Sequence, residues 1–362
     1  MQLRPRSRPR RAPVALALAL ALSALLAACG GGGDDDDGAA AAPVPTPAPA
    51  PETTTSTAPA PPPVAPLTGV VAADPAALAR PALVVKIDNH PKAWPQVGLD
   101  LADVVYEEVV EGSATRFAAV FHSTASDPVG PVRSARTTDV DLMSNLNTPL
   151  FAWAGANAGV VRQIRGAPLV DLGWDARPDD YRRDRSRPAP SNLFTDTTTL
   201  WSVAPGDAGT PPVLFGHRAP DTPPAGGEPA AAVVVDFGGQ VGVSVEWRWD
   251  PSAAGWVRTQ GGKPHTVESG APIAPENVVV QFVEYRNSGF VDVTGAASPE
   301  AELVGEGEAW VLTGGQLVRG RWSRATPEAT TAYTDAAGQP IAMAPGRTWI
   351  VLPQPGQATV VP

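Results

Sequence analysis

The chain has 362 residues, with 27 Lys+Arg against 37 Asp+Glu, 42 prolines and one cysteine. A net charge of −10 offers no basic stripe for nucleic acid. A single thiol rules out internal disulfides and Cys-based zinc sites.

At the N-terminus, Arg4, Arg6, Arg8, Arg10 and Arg11 precede an apolar run from Val14 to Ala28. That run is shorter than the ~20 residues needed to span a bilayer. The basic flank, short apolar stretch and small residues together read as a signal peptide over residues 1–28. Arg10-Arg11 lacks the residues usual after a twin-arginine pair, so the general export route is expected. The only cysteine, Cys29, stands at the cleavage point, where a bacterial lipoprotein takes a diacylglycerol on sulfur and an acyl chain such as palmitate on its amine. Two or three acyl chains give stable anchoring where one would be marginal. Without its leader the chain carries a net charge of −15, because all five leader charges are arginines. Residues 29–66 then form a Gly/Asp/Ala/Pro/Thr tract with no Lys, Arg or aromatic residue. Such a segment cannot bury enough apolar surface to offset ordering entropy. As an extended, Pro-rich tether at ~3.1 Å per residue it reaches up to about 100 Å from a membrane.

From Leu67 the composition becomes globular, with a boundary in the Pro/Gly-rich stretch around residues 220–229. The expected units are an N-terminal α/β-type domain over 67–222 and a mostly antiparallel β domain over 223–362. The whole is an α+β chain behind a disordered tether. In the first unit, strands are expected at 82–88, 103–111, 115–123 and 149–154, and helices at 136–146 and 156–165. Residues 115–123 alternate, with Phe117, Ala119 and Phe121 on one face and Arg116, Ala118, Val120 and His122 on the other. In the second unit, strands are expected at 231–237, 241–249, 255–260, 277–285, 308–313, 316–323, 331–334 and 347–352. Gly314-Gly315 between apolar runs is a hairpin turn, and residues 335–338 read as a second.

Several stretches resemble the YerB-like bacterial lipoproteins: RPALVVKIDNHPKAWPQVGLDLADVVYEEVVEGSATRFAAVF from Arg80 to Phe121, and GPVRSAR from Gly130 to Arg136. The later pieces NVVVQFVEY, GEAWVLTGGQLVRGRWSR and PGRTWIVL resemble the same family's second domain. The resemblance implies a lipoprotein of two adjoining domains, without a settled activity. Two positions depart from the family pattern: Trp94 where Arg is expected, and Ser191 where His is expected before Asn192-Leu193.

Polar clusters mark candidate sites. Asp88-Asn89-His90 ends the first strand, and ligands in α/β sheets gather beyond strand carboxyl ends. The structural alternative is a turn in which Asp and Asn bond their own backbone. Glu107, Glu108 and Glu111 lie near Arg116 in sequence. Glu108 shares a face with Val104, Tyr106 and Val110, so it is either a raised-pKa acid or half of a buried pair with Arg116 or Arg133. Arg133-Ser134-Ala135-Arg136 before a helix suits an anion or, alternatively, those glutamates. The Arg182–Arg187 loop has mixed charges and reads as self-paired. Trp247, Trp249, Trp256, Trp310, Trp322 and Trp349 fill a β core or stack on sugars.

The chain has no Gly-x-Ser-x-Gly elbow, His-Glu-x-x-His helix, phosphate loop or dinucleotide fingerprint. Its four histidines (His90, His122, His217 and His265) are far apart in sequence. No cofactor or metal is expected. The leading expectation is a membrane-anchored envelope protein, on the extracytoplasmic face, that binds a cell-wall polymer or envelope protein without catalysis. The candidate binding set is Asp88, Asn89, His90, Glu111, Arg116, Arg133, Ser134 and Arg136. The alternatives are a wall or glycan hydrolase using Glu108 or Glu111 with His90, and a scaffold with no small-molecule site. The anchor is directly testable: Cys29→Ala is expected to move the protein from the membrane to the soluble fraction, and unchanged fractionation would refute lipidation at Cys29.

Overall fold

The computed structural model describes residues 62–239, 243–292 and 295–361. The expected signal peptide, Cys29 and the tether up to residue 61 lie outside the described residues. The first elements are β1 (Leu83–Asp88), β2 (Val104–Val109) and β3 (Thr115–Phe121), then α1 (Thr138–Met143), β4 (Leu150–Ala152) and α2 (Ala158–Gly166). Short pieces follow: β5 (Val170–Asp171), β6 (Tyr181–Arg183), β7 (Leu193–Thr195), α3 (Thr197–Ser202) and β8 (Glu228–Pro229). The remainder is β: β9 (Ala232–Asp236), β10 (Ser244–Asp250), β11 (Gly255–Gln260), β12 (Lys263–Pro264), β13 (Asn277–Gln281), β14 (Tyr285–Val291) and β15 (Ala297–Ala301). It ends with β16 (Gly305–Thr313), β17 (Gln316–Arg324), β18 (Ala332–Asp335), β19 (Thr348–Val351) and β20 (Ala358–Val361).

One large mixed sheet organises the body, in the order β18-β17-β16-β13-β19-β2-β3-β1-β4-β5, with β8 added beside β17. β19 pairs in parallel with both β13 and β2, so a strand from near the C-terminus joins the two ends of the sequence. A five-stranded sheet, β12-β11-β10-β9-β20, covers one face. There Phe117, Phe121, Val280 and Trp349 pack with Val233, Val245, Trp247 and Trp256. On the other face, α1 and α2 place Leu142, Met143, Val160 and Ile164 against Ala118, Val120, Val279 and Ile350. The alternation in β3 therefore sends residues into two separate cores. A sheet buried on both sides explains why its strands read as nearly continuous apolar runs.

Most expected strands form close to their expected bounds. The hairpin between β16 and β17 turns on Gly314 and Gly315, at φ 60° and 74°. Other segments differ. The expected strand 277–285 stops at Gln281, where the Val283 amide turns instead to the Pro353 carbonyl at 2.9 Å, and β14 starts afresh at Tyr285. The first helix begins only at Thr138, and the Arg136 amide in the turn before it donates to Asp139 Oδ2 at 2.7 Å. The expected strand 241–249 starts at Ser244, with residues 240–242 outside the described residues. β6, β7 and α3 were not legible, being only three to six residues long.

Between the two sheets lies a fully buried ion pair. Arg258 on β11 donates from Nη2 to Glu107 Oε1 on β2 at 2.7 Å, and both side chains have 0% exposure. Glu107 also accepts from Thr115 Oγ1 at 2.9 Å and from Trp349 Nε1 at 3.1 Å. The guanidinium lies 5.4–5.5 Å from the rings of Phe117, Trp247 and Trp349. Removing one partner leaves a lone buried charge, which costs roughly 3–5 kcal/mol. Arg258→Met is expected to lose about that much stability by urea unfolding, and Glu107→Gln/Arg258→Met to regain a large part of it. A double variant no more stable than Arg258→Met alone would refute the pair's role.

Candidate functional site

The carboxyl ends of the parallel pair β1 and β4 open onto the loop that holds Arg133, Ser134 and Arg136. That loop is pinned from both sides. The Arg133 amide donates to Lys86 O at 2.8 Å, the Ala154 amide to Arg133 O at 2.9 Å, and the Ala135 amide to Gly155 O at 3.1 Å. Beside it an open cleft of about 530 Å³ is lined by Glu111, Arg116, Arg133, Ser134 and Arg136. Asn157, Val291, Asp292 and Ser298 line it too. Five of the eight expected binding residues therefore converge on one cleft, from β3, the turn after β2 and the loop before α1.

The three arginines differ in their partners. Arg136 grips Glu111 through two nitrogens, Nε to Oε1 at 2.8 Å and Nη2 to Oε2 at 2.5 Å. Ser298, on β15, donates to the same carboxylate. Burial pushes Glu111 up, but the hydrogen bonds from Arg136 and Ser298 and the Arg136 charge outweigh it and hold the carboxyl below its usual range. Arg133 Nε lies 3.3 Å from Asp88 Oδ2. Arg116 donates to the Ser134 carbonyl at 3.0 Å and has no carboxylate within ion-pair distance among the described residues. Burial, then the charges of Arg136 and Arg133, lower its pKa to about 10. A guanidinium held in this way gains from a negative guest.

The other expected residues lie elsewhere. Asp88 is buried and accepts from Ser191 Oγ at 2.8 Å and from the His90 amide at 3.2 Å. It supports Arg133 from behind and does not line the cleft. Asn89 is consumed by Thr115, Gln260 and the Trp94 indole, at 2.7, 2.9 and 3.0 Å. The two positions that depart from the expected family pattern, Trp94 and Ser191, thus each contact one residue of this turn. Trp94 also stacks on His265 at 4.3 Å. His90 is exposed and caps a single turn, accepting from the Lys92 amide at 3.1 Å, as the turn reading anticipates.

Glu108 corrects the expected pairing. It stands opposite Arg116 in the β2–β3 register but forms no ion pair with Arg116 or Arg133. It pairs with Lys86 on β1, which also binds Asp139 Oδ1 at 2.7 Å, and all three side chains have 0% exposure. Its second oxygen finds no hydrogen-bond partner among the described residues. One ammonium between two buried carboxyls leaves surplus negative charge, so a proton is favoured on the cluster. Burial, then Asp139, push Glu108 up to about 7, against the pull of Lys86 and Arg136. With its carboxyl fully buried, Glu108 does not meet the geometry of a general acid.

Sequence reasoning missed Lys86, Asp139, Asn157 and Ser298. Lys86 did carry a signal, a lone charge inside the apolar run LVVKID. The Arg182–Arg187 loop is only partly self-paired: Arg187 pairs with Asp184 within it, while Arg182 pairs with Asp196 and Arg187 also with Glu268 outside it. Trp247, Trp256, Trp310, Trp322 and Trp349 are buried, with Trp249 partly so. No group of three or more His, Cys, Asp or Glu side chains able to hold a metal comes together among the described residues.

Comparison with known proteins places these features in a family. Residues 67–210 match "Protein of unknown function (DUF3048) N-terminal domain", and residues 233–350 match the corresponding C-terminal domain. A Bacillus subtilis protein named "Putative lipoprotein YerB" is 32% identical over 295 residues, covering 79% of this chain and 85% of its own. The crystal structure of YerB from Bacillus subtilis superposes with a TM-score of 0.71 at 27% identity, covering 83% of this chain and 99% of that one.

The Glu108 proton has a measurable consequence. The unperturbed carboxyl titrates near 4.5 and the folded one near 7. The folded state therefore holds this proton more tightly, and the resulting stability is complete below about pH 4.5 and lost as pH rises through about 7. The whole effect is on the order of 3 kcal/mol. Glu108→Gln, which stays neutral, is expected to lessen the fall in unfolding free energy between pH 5 and 8.5. An unaltered pH slope in that variant would exclude Glu108 as the proton's holder.

Proposed function

The chain belongs to the YerB-like, two-domain DUF3048 family, and on that premise we propose that it is an exported lipoprotein whose folded body binds an anionic envelope ligand in the arginine cleft without transforming it. In this reading residues 1–28 are the signal peptide, Cys29 carries the lipid and residues 29–66 are the tether. The domains at 67–222 and 223–362 then stand on the extracytoplasmic side of the cell membrane. The lipoprotein name of the Bacillus relative and the leader pattern support the anchor.

The observation that carries the binding reading is Arg116. It is a partly buried guanidinium that makes no ion pair with a carboxylate among the described residues, in an open cleft it shares with two further arginines. Binding is favoured over hydrolysis by the state of the two glutamates considered for catalysis. Glu111 is locked as a carboxylate by Arg136 and Ser298, and Glu108 is sealed beneath with Lys86. Neither is free to exchange a proton with a bound substrate.

Full-length protein incubated with purified cell-wall fragments is expected to be retained on them, with no soluble product released. Retention should fall as salt rises, because the attraction is between charges. Arg116→Gln should weaken retention by about tenfold, the scale of one lost charge-assisted contact, while Arg248→Gln on the β10 surface leaves it unchanged. Soluble product that disappears in Glu111→Gln would overturn the non-catalytic reading. Retention equal in Arg116→Gln and the unaltered protein would remove the cleft from the binding surface.

A further inference from the structure

Resting on the anion-binding reading above, we propose that the cleft selects a singly charged phosphodiester over a carboxylate or a phosphate monoester. The first argument is charge. Arg136 is matched by Glu111 and Arg133 by Asp88, which leaves Arg116 unmatched. One negative charge complements one free guanidinium. A second would sit beside the Glu111 carboxylate, which also lines the cleft.

The second argument is the direction of the donors. Arg116 comes from β3 and Ser134 from the loop before α1, while a further part of the lining is the start of α2, at Gly155, Ala156 and Asn157. The Ser134 hydroxyl faces this turn; a Cβ added at Gly155, which has φ 81°, would stand 3.2 Å from it. No protein acceptor or donor for that hydroxyl is found among the described residues. α2 has nine residues, and its first turn leaves amides without helical acceptors. Asn157 Oδ1 satisfies the Gly159 amide at 2.7 Å. Donors thus come from two chain segments, β3 and the loop before α1. A carboxylate accepts close to a single plane, whereas the two charged oxygens of a phosphodiester sit on a tetrahedral centre and spread their acceptor directions in space. Helix starts joined to arginines are a recurrent way of holding phosphoryl groups.

The third argument is the wall itself. Val291 on β14, 49% exposed, brings apolar surface beside the charged groups. The Asn157 side chain donates to the Val291 carbonyl at 3.1 Å, and Phe290 packs so closely on Gly159 that a Cβ there would come within 2.1 Å of its ring. The hairpin of β14 and β15 is thereby fixed to the start of α2. Uncharged linkers on either side of a phosphodiester would cover this apolar surface, which a free phosphate would leave bare.

The test uses the full-length protein in a non-ionic detergent, titrated calorimetrically at constant ionic strength. The probes are glycerophosphoglycerol, glycerol 3-phosphate, inorganic phosphate and N-acetyl-alanyl-alanine. The diester is expected to bind at least tenfold more tightly than the other three. Arg116→Gln should lose that binding and Arg116→Lys should keep part of it. Ser134→Ala should weaken it severalfold with its thermal midpoint unchanged, which separates binding from folding. Tighter binding of the dipeptide or of either phosphate, still sensitive to Arg116, would overturn the phosphodiester assignment and leave the anion site standing. If no probe binds in an Arg116-dependent way, both the assignment and the anion site fall.

Discussion

The buried pair of Glu107 and Arg258 is the constraint on which the rest of the body depends. It joins the large sheet to the five-stranded sheet at a point where neither residue sees water. Such a pair is not an efficient source of stability, since desolvation offsets much of its attraction. What it supplies is registration. Glu107 is satisfied only when Arg258, Thr115 and Trp349 all reach it, and these residues come from β11, β3 and β19. Slippage of any of those strands would strand a charge in the core. His265 completes the arrangement, with Arg258 Nη1 and His265 Nδ1 2.7 Å apart and its Nε2 2.9 Å from Gln96 Oε1. Burial, then the Arg258 charge, hold that imidazole well below its usual pKa, so it sits there neutral.

Three glutamates within five residues serve three separate places because of the pleat of β2 and the turn that ends it. Glu107 faces the five-stranded sheet and Arg258. Glu108, one residue on, points through the opposite face to Lys86 and Asp139. Glu111 lies past the strand end, in a turn that returns the chain toward β3, and reaches Arg136 at the cleft. The Lys86 cluster and the cleft are mechanically continuous. Asp139 holds both the Lys86 ammonium and the Arg136 amide, so the buried cluster fixes the loop that presents two of the three cleft arginines.

The cleft draws on both matched family regions. Its arginines belong to the N-terminal match, and Val291 and Ser298 to the C-terminal one. The parallel placement of β19 between β13 and β2 makes one sheet of the two regions. Ser298 can consequently reach Glu111 across 187 residues of sequence. A site built in this way has little freedom to move one wall without the other.

The strands were legible because their apolar runs are long enough to show, as in LVVKID, TRFAAVF and NVVVQ, and because Gly314-Gly315 demands a turn. The pairing of those strands was not, since nothing local states that β19 inserts between β13 and β2. The gathering of Arg116, Arg133, Ser134, Arg136 and Glu111 was anticipated from a strand end, a turn and a loop close together in sequence, where the short chain between them limits how far they can separate. The partners of Glu107 and Glu108 were not, because Arg258 lies 151 residues from Glu107, and because Lys86 and Asp139 are reached only through strand pairing and the seating of α1. The sequence by itself determined composition, strand content and the family. Which face of the pleat each glutamate took, and so which charges were neutralised and which was left for a ligand, was decided only by the packing of one sheet against another, because side-chain direction follows local alternation but charge partnership follows contact in space.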